Sequence, residues 1–245
     1  MFQELAESRS IDWAEYLDHF HAQHARITEC LLTRAEASNI GTPYAWLASK
    51  LEPLIGDEHA LVSILDIGCG SAPMNSVLPR HWKYLRIDIS LSELRKAQQA
   101  GRKHVSVADA TQLPLNANSM EAAISSMAMR LVTPLLPRDL LVGLRLITSL
   151  GALPALSQRF TERNVQGLLE GSGFVGICHE RKRFSFSLRT YDDAKLLVDS
   201  LYLPSMTEER KLRAASKLAS WASKIRDIPI SVAMTVAMKC PSPTT

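Results

Sequence analysis

The residues of this 245-residue chain best suited to chemistry lie in Ile64-Leu65-Asp66-Ile67-Gly68-Cys69-Gly70-Ser71-Ala72-Pro73, an apolar run entering a glycine turn with a helix signalled by Pro73. Glycines there let the backbone approach a ligand closely, while the first amides of a following helix point at it. Asp88 follows the second glycine by roughly twenty residues at the end of the next apolar run, the spacing of a carboxylate that bonds ribose hydroxyls. Together these residues predict a nucleoside-containing cofactor at the carboxyl ends of parallel strands. Asp66, just before the glycines, opposes a pyrophosphate and suits a ligand carrying ammonium and sulfonium groups. Ser71, Ala72 and Pro73 stand where a dinucleotide fingerprint would close on a third glycine, so NAD is the poorer choice.

These residues need a scaffold, and the texture of the chain supplies one. The runs LVSILDI (61–67), KYLRIDI (83–89), HVSVAD (104–109) and EAAISSM (121–127) alternate with helical stretches at 73–78, 91–100 and 137–148, the pattern of a parallel sheet with crossover helices. GALPALS (151–157) is the candidate fifth strand, although Pro154 suits a buried strand poorly. A helix at 164–170, a strand at 174–183, a helical insert at 192–225 and a last strand, IPISVAMTVAMK (228–239), complete the chain. Ahead of the sheet, Trp13, Leu17, Phe20, Ile27 and Leu31 keep a helical period over residues 12–37, with Asp12 and Glu15 resembling a capping box. Thr42-Pro43 opens a second helix that ends near Gly56. The expected fold class is α/β: a Rossmann-like, doubly wound, mostly parallel seven-stranded sheet with an N-terminal helical cap and a helical insert before the last strand. One domain over 1–245 is expected, divided into a cap (1–58), a cofactor-binding core (59–188), the insert (189–228) and the last strand with its tail (229–245).

Over residues 61–127 the chain resembles the class I methyltransferases, especially the small-molecule branch similar to the ubiquinone and menaquinone methyltransferases. Leu65-Asp66-Ile67-Gly68-Cys69-Gly70 looks like the first motif of that family. Ile87-Asp88-Ile89-Ser90 looks like its second motif, and the run from Ala108-Asp109-Ala110 to Leu113-Pro114-Leu115 like its third. The resemblance implies S-adenosyl-L-methionine as cofactor and S-adenosyl-L-homocysteine as product. It implies that Gly68 and Gly70, with Cys69 between them, line the methionine portion, that Asp88 holds the ribose and that Ile89 covers an adenine face. Asp109 would accept from the exocyclic amine, the Ala110 backbone would bond the ring, and Asp66 and Ser126 complete the candidate cofactor set. Three departures from the family pattern stand out: Ala72 at the third small position, Glu121 where an Asp is usual before the fourth strand, and a reduced Leu-Ile-Thr-Ser-Leu-Gly151 approach to the fifth.

Methyl transfer is an in-line displacement, so such an enzyme chiefly holds a nucleophile against the methyl and keeps water out; a dedicated base is optional. After the fourth strand Ser125, Ser126, Met127, Met129 and Arg130 should face the transfer site. The Asn/Asp-Pro-Pro-Tyr/Phe motif associated with nucleic-acid amines is absent there. The cap offers Tyr16, Tyr44 and Trp46 as substrate contacts and His21 and His24 as base candidates. Tyr202 in the insert is a further substrate candidate, with an apolar packing role as its alternative.

Composition sets the remaining bounds. The net charge of +3 argues only weakly for a polyanionic partner, and the basic residues between Lys211 and Arg226 read as a solvated helix face. No apolar run reaches the roughly 18 residues of a membrane span, and the four cysteines are far apart. A cytoplasmic protein with no metal site is therefore expected. The acceptor is read as a small molecule with an O, N or C nucleophile, nucleic acid being the less favoured partner. An RNA methyltransferase using the basic insert, a non-catalytic cofactor-binding protein of the same fold, and a homodimer all stay open.

Overall fold

The computed structural model describes residues 13–55, 62–110, 112–116, 119–126, 145–151, 162–201 and 206–239. In it the apolar runs become strands β1 (Ala35–Glu36), β2 (Ser63–Ile67), β3 (Lys83–Asp88), β4 (Val105–Val107), β5 (Ala122–Ser126), β6 (Arg145–Gly151), β7 (Phe174–Ser187) and β8 (Asp227–Lys239). They form one sheet in the order β1-β7-β8-β6-β5-β2-β3-β4. All pairings from β4 to β6 are parallel, and β8 lies antiparallel between β6 and β7. β6 and β7 therefore point the same way, and the carboxyl ends of β2, β3, β5 and β7 share one edge. The central strands are continuous apolar runs because both faces are covered: Ile64, Leu65, Ile67, Ala123 and Ile124 are all fully buried.

The sheet has eight strands rather than the seven expected. The extra one, β1, comes from the end of the expected 12–37 helix and pairs antiparallel with β7, Ala35 opposite Phe186. That helix is in fact two, α1 (Trp13–Gln23) and α2 (Ile27–Leu32), broken where Arg26 takes a left-handed φ of 61°. Phe20 on α1 and Leu31 on α2 are both buried, one on each side of the break. The Asp12 end of the proposed capping box lies outside the described residues. Helix α3 (Pro43–Ile55) begins as read, with the Thr42 hydroxyl oxygen accepting from the Ala45 N–H at 3.2 Å.

The fifth strand also differs from expectation. Residues 145–148, read as the end of a helix, belong to β6, which is paired along its length with β5 and β8; pairing on both sides overrides the helical texture. Residues 152–157 lie outside the described set. Glu121 is explained: its carboxylate accepts from the Ser63 N–H at 2.7 Å, aligning the starts of β2 and β5. Pro229, in an otherwise interior strand, lies opposite Ser185 of β7 and outside the stretch Val232–Met238 that pairs with β6 among the described residues.

Three further helical elements come after β3: α4 (Leu91–Gln99), α5 (Glu162–Gly171) and the insert, which is a pair, α6 (Tyr191–Asp199) and α7 (Glu208–Ser220). The insert is fastened to the cap. The Asp193 carboxylate accepts from Arg34, from the Arg189 and Thr190 amides, and completes a capping box with Thr190. Although burial opposes its charge, these donors hold the Asp193 carboxyl down at about 2. Lys211, read as part of a solvated face, is instead buried and paired with Glu208 at 2.7 Å.

Candidate functional site

β2 delivers the chain into the turn Gly68-Cys69-Gly70, where Gly68 (φ 66°) and Gly70 (φ 54°) adopt the left-handed backbone that glycine tolerates. A Cβ on Gly70 would meet Glu93 Oε2 at an ordinary 3.7 Å, so conformation rather than crowding calls for glycine there. The Cys69 N–H donates to the Ile87 carbonyl at 3.0 Å, tying the turn to the end of β3. The chain then enters a four-residue 3₁₀ turn, Pro73–Ser76, and not the helix expected. Ala72, itself at φ 60°, marks its start, and Pro79 disfavours helical backbone at Leu78 just before it. A row of helix N-terminal amides, the usual device for gripping a pyrophosphate, is therefore missing from this loop.

Asp88 closes the site from β3. Its Oδ2 accepts from the Gly70 N–H at 2.7 Å and its Oδ1 from the Ser90 N–H at 2.8 Å. Each oxygen keeps a second lone pair for a ligand. Burial pushes the Asp88 carboxyl above its usual range, against the pull of those two amides and of His21. Ile89 beside it is 64% exposed, an apolar surface standing over the strand ends. The Asp88 carbonyl accepts from the Ala108 N–H at 3.1 Å, which brings the next segment alongside: Asp109 is exposed and Ala110 is buried.

Asp66 is placed differently from the sequence reading. It is 1% exposed within the sheet, accepts a hydrogen bond from the Tyr84 hydroxyl and pairs in register with Arg86. Burial raises its carboxyl to about 7. It can influence a ligand through its field but has no surface to touch one with. Cys69 is likewise buried, and burial, with Asp66 and Asp88 nearby, pushes its thiol far up, so it is no nucleophile.

The cap meets the glycine turn through residues the sequence reading missed. Glu93, 4% exposed, accepts from the Arg26 N–H at 3.0 Å and lies 3.4 Å from His21 Nδ1. Glu29 accepts from the Ser71 hydroxyl at 2.5 Å and pairs with Arg26 at 2.8 Å. Burial works against the Glu29 charge, but the hydrogen bonds from Arg26 and Ser71 outweigh it and hold the carboxyl below its usual range. A signal for Glu93 was present: Ser90-Leu91-Ser92-Glu93 reads as a capping box, and Ser90 does cap α4. In that box Glu93 would reach back to the Ser90 N–H, but Asp88 already occupies it, and Glu93 is released to bind the cap.

Glu93→Ala should loosen the cap. Removing a buried acceptor of a backbone amide costs about 1–3 kcal/mol, so the midpoint of urea unfolding should fall and proteolysis should speed up around residues 24–27. Unchanged stability and unchanged cleavage there would mean the contact holds nothing.

The other candidates divide clearly. Tyr16, Phe20 and His21 on α1 and His24 just past its end form one aromatic cluster, with Phe20 4.9 Å from His24 and 5.8 Å from Tyr16 between ring centroids. Tyr44 and Trp46 lie in the hydrophobic core, where Trp46 packs on Phe184 at 5.8 Å; an aromatic type alone does not separate a pocket residue from a core one. Ser126 is half-buried at the carboxyl end of β5, and Ser125 just inside it is fully buried, its hydroxyl without a partner among the described residues. Met127, Met129, Arg130 and Tyr202 lie outside the described residues. Among the described residues no cluster of His, Cys, Asp or Glu is arranged to hold a metal ion, and no helix is long and apolar enough to cross a membrane.

Residues 65–141 match the family described as a methyltransferase domain. No curated protein sequence matches the chain. Among solved structures, the phosphoethanolamine N-methyltransferase 2 of Haemonchus contortus with S-adenosyl-L-methionine is 15% identical with a TM-score of 0.59, over 95% of this chain and 60% of that one. The same nematode's enzyme was also solved with phosphomonomethylethanolamine and S-adenosylhomocysteine. The chain spans about three fifths of the length of these proteins. The [4+2]-cyclase SpnF is 17% identical with a TM-score of 0.59, over 94% and 93% of the two chains. A putative methyltransferase of Bacillus halodurans is 15% identical with a TM-score of 0.52, over 79% and 100%. At these identities the likeness is one of fold.

Proposed function

We propose that this chain is an S-adenosyl-L-methionine-dependent methyltransferase acting on a small-molecule acceptor. The observation that carries the reading is the Asp88 carboxylate bonded to the Gly70 amide. It gathers an acid, a glycine turn and the exposed Ile89 at one strand end, a set matched to a ribose diol, an amino-acid moiety and a base. The charges fit as well: Asp88, Glu93 and Glu29 surround a turn that lacks a helix N-terminus, which suits a cation better than a pyrophosphate. The methyltransferase-domain match over residues 65–141 supports the same cofactor.

On this reading Asp88 accepts from the ribose hydroxyls and the Gly68-Cys69-Gly70 backbone lines the methionine portion. Ile89 covers one face of the adenine, and Asp109 and Ala110 bind its polar edge. When bound, the cofactor supplies an electrophilic sulfonium methyl. The chain's own task is positioning and exclusion of water, with the α1 cluster closing one side and Ser126 at the strand end facing the acceptor. His21, engaged by Glu93, is a positioning residue rather than a base. The likeness to a [4+2]-cyclase shows why the fold alone does not choose the chemistry. Calorimetry on the full chain should therefore show binding of S-adenosylmethionine and S-adenosylhomocysteine and none of NAD. Tight NAD binding with no response to S-adenosylhomocysteine would overturn the assignment.

A further inference from the structure

Six exposed side chains that methyl transfer does not use meet at one end of the insert. Arg189 and Tyr191 lie at the start of α6, Trp221 ends α7, and Lys224, Ile225 and Arg226 come next in the turn toward β8. The backbone holds the two stretches side by side: the Leu188 N–H donates to the Arg226 carbonyl at 2.8 Å, and the Trp221 carbonyl accepts from the Lys224 and Ile225 amides, each at 2.8 Å. Tyr191, Trp221 and Ile225 are 41%, 44% and 42% exposed. Lys217 lies 5.6 Å over the Trp221 ring. The acids at this end are Asp192 and Asp227, the latter accepting from the Ser187 hydroxyl. Cations Arg189, Lys217, Lys224 and Arg226 therefore outnumber acids two to one. Glu208 and Glu209 are spent on Lys211 and Arg213 at the far end of α7. β7 ends at Ser187 on the same edge as β2, β3 and β5, so the tip stands on the side of the sheet that carries the candidate site.

We propose that this tip seats the protein on an anionic lipid bilayer surface. A single exposed apolar side chain is ordinary, but here two amphipathic rings and an aliphatic group are interleaved with cations on an ordered turn. Tyr and Trp rings settle at the headgroup level, and Lys and Arg spread their stems over apolar surface while their heads meet anionic lipids. RNA would engage the same cations, but it would be held by stacking on ring faces, to which Ile225 contributes nothing. The tip goes beyond the methyl-transfer reading and does not depend on it.

The test is cosedimentation of the full chain with phosphatidylcholine vesicles, with and without phosphatidylglycerol. Binding should require phosphatidylglycerol and weaken as salt is added. Trp221→Ser with Ile225→Ser should abolish it, and Lys224→Glu with Arg226→Glu should reduce it by about tenfold or more. Both double variants should melt normally and bind S-adenosylhomocysteine like the parent, because none of the four side chains is buried; this readout keeps failure of the tip distinct from failure of the methyl-transfer reading. No sedimentation with anionic vesicles, or vesicle binding unchanged in both doubles, would overturn the proposal. So would capture of a single-stranded RNA oligonucleotide that both doubles lose while vesicles go unbound.

Discussion

Asp88→Ala should weaken S-adenosylhomocysteine binding by about a hundredfold or more in a protein that still folds. Two charge-assisted hydrogen bonds to ribose hydroxyls are worth about 1.5–3 kcal/mol each, and each ~1.4 kcal/mol is a factor of ten. The structure adds a second loss, because the same carboxylate positions the Gly70 amide at 2.7 Å and the Ser90 amide at 2.8 Å. Asp88→Asn should therefore fail to rescue binding. Both oxygens face N–H donors, and an amide must turn its NH2 toward one of them, placing donor against donor. A loss beyond tenfold is expected for Asn as well, with some loss of stability in both variants. Since burial raises the Asp88 carboxyl above its usual range, affinity of the parent should begin to fall on acidification at a higher pH than an ordinary carboxylate would require. Calorimetry across pH on protein checked by urea melts measures all three effects. An affinity of Asp88→Ala within about twofold of the parent would mean that the site has been misread.

Which elements were legible in the sequence depends on where each residue gets its instructions. β2, β3 and β5 were legible because a strand buried on both faces must be apolar throughout, and Asp88 was legible because it punctuates such a run. The break at Arg26 was not. Nothing in an arginine asks for a φ of 61°; the conformation turns its amide toward Glu93, a residue 67 positions away. β6 was misplaced because Arg145–Gly151 carries no strand signal of its own strong enough to outweigh the helical run before it, and only its two neighbours define it. Glu93 escaped notice because its local signature had an ordinary explanation, which Asp88 removes by taking the Ser90 amide. For the Arg26 break and for β6 the decisive partner lies far away in the chain.

Asp66 leads to the last expectation, which concerns stability. Its carboxyl has an ordinary value of 3.8 and is raised to about 7 in the fold, chiefly by burial, with the Tyr84 hydroxyl and Arg86 pulling it down and Asp88 pushing it up. The folded protein thus holds this proton more tightly than the unfolded chain does. Its contribution to stability is complete below about pH 4, is lost as pH rises through about 7, and spans about three pH units, or about 4 kcal/mol. Asp66→Asn removes that dependence while keeping an oxygen for Tyr84. The cost is a new NH2 near the position of Oδ1, which has no hydrogen-bond partner among the described residues; an unsatisfied group there costs about 1–3 kcal/mol at every pH. The informative quantity is therefore a slope. The stability of Asp66→Asn relative to the parent should rise by a few kcal/mol between pH 4 and pH 8 in urea melts and level off above pH 8. A difference that stays flat over the same interval would show that Asp66 is already ionised in the fold and that the attraction of Arg86 and the Tyr84 hydrogen bond outweigh its burial.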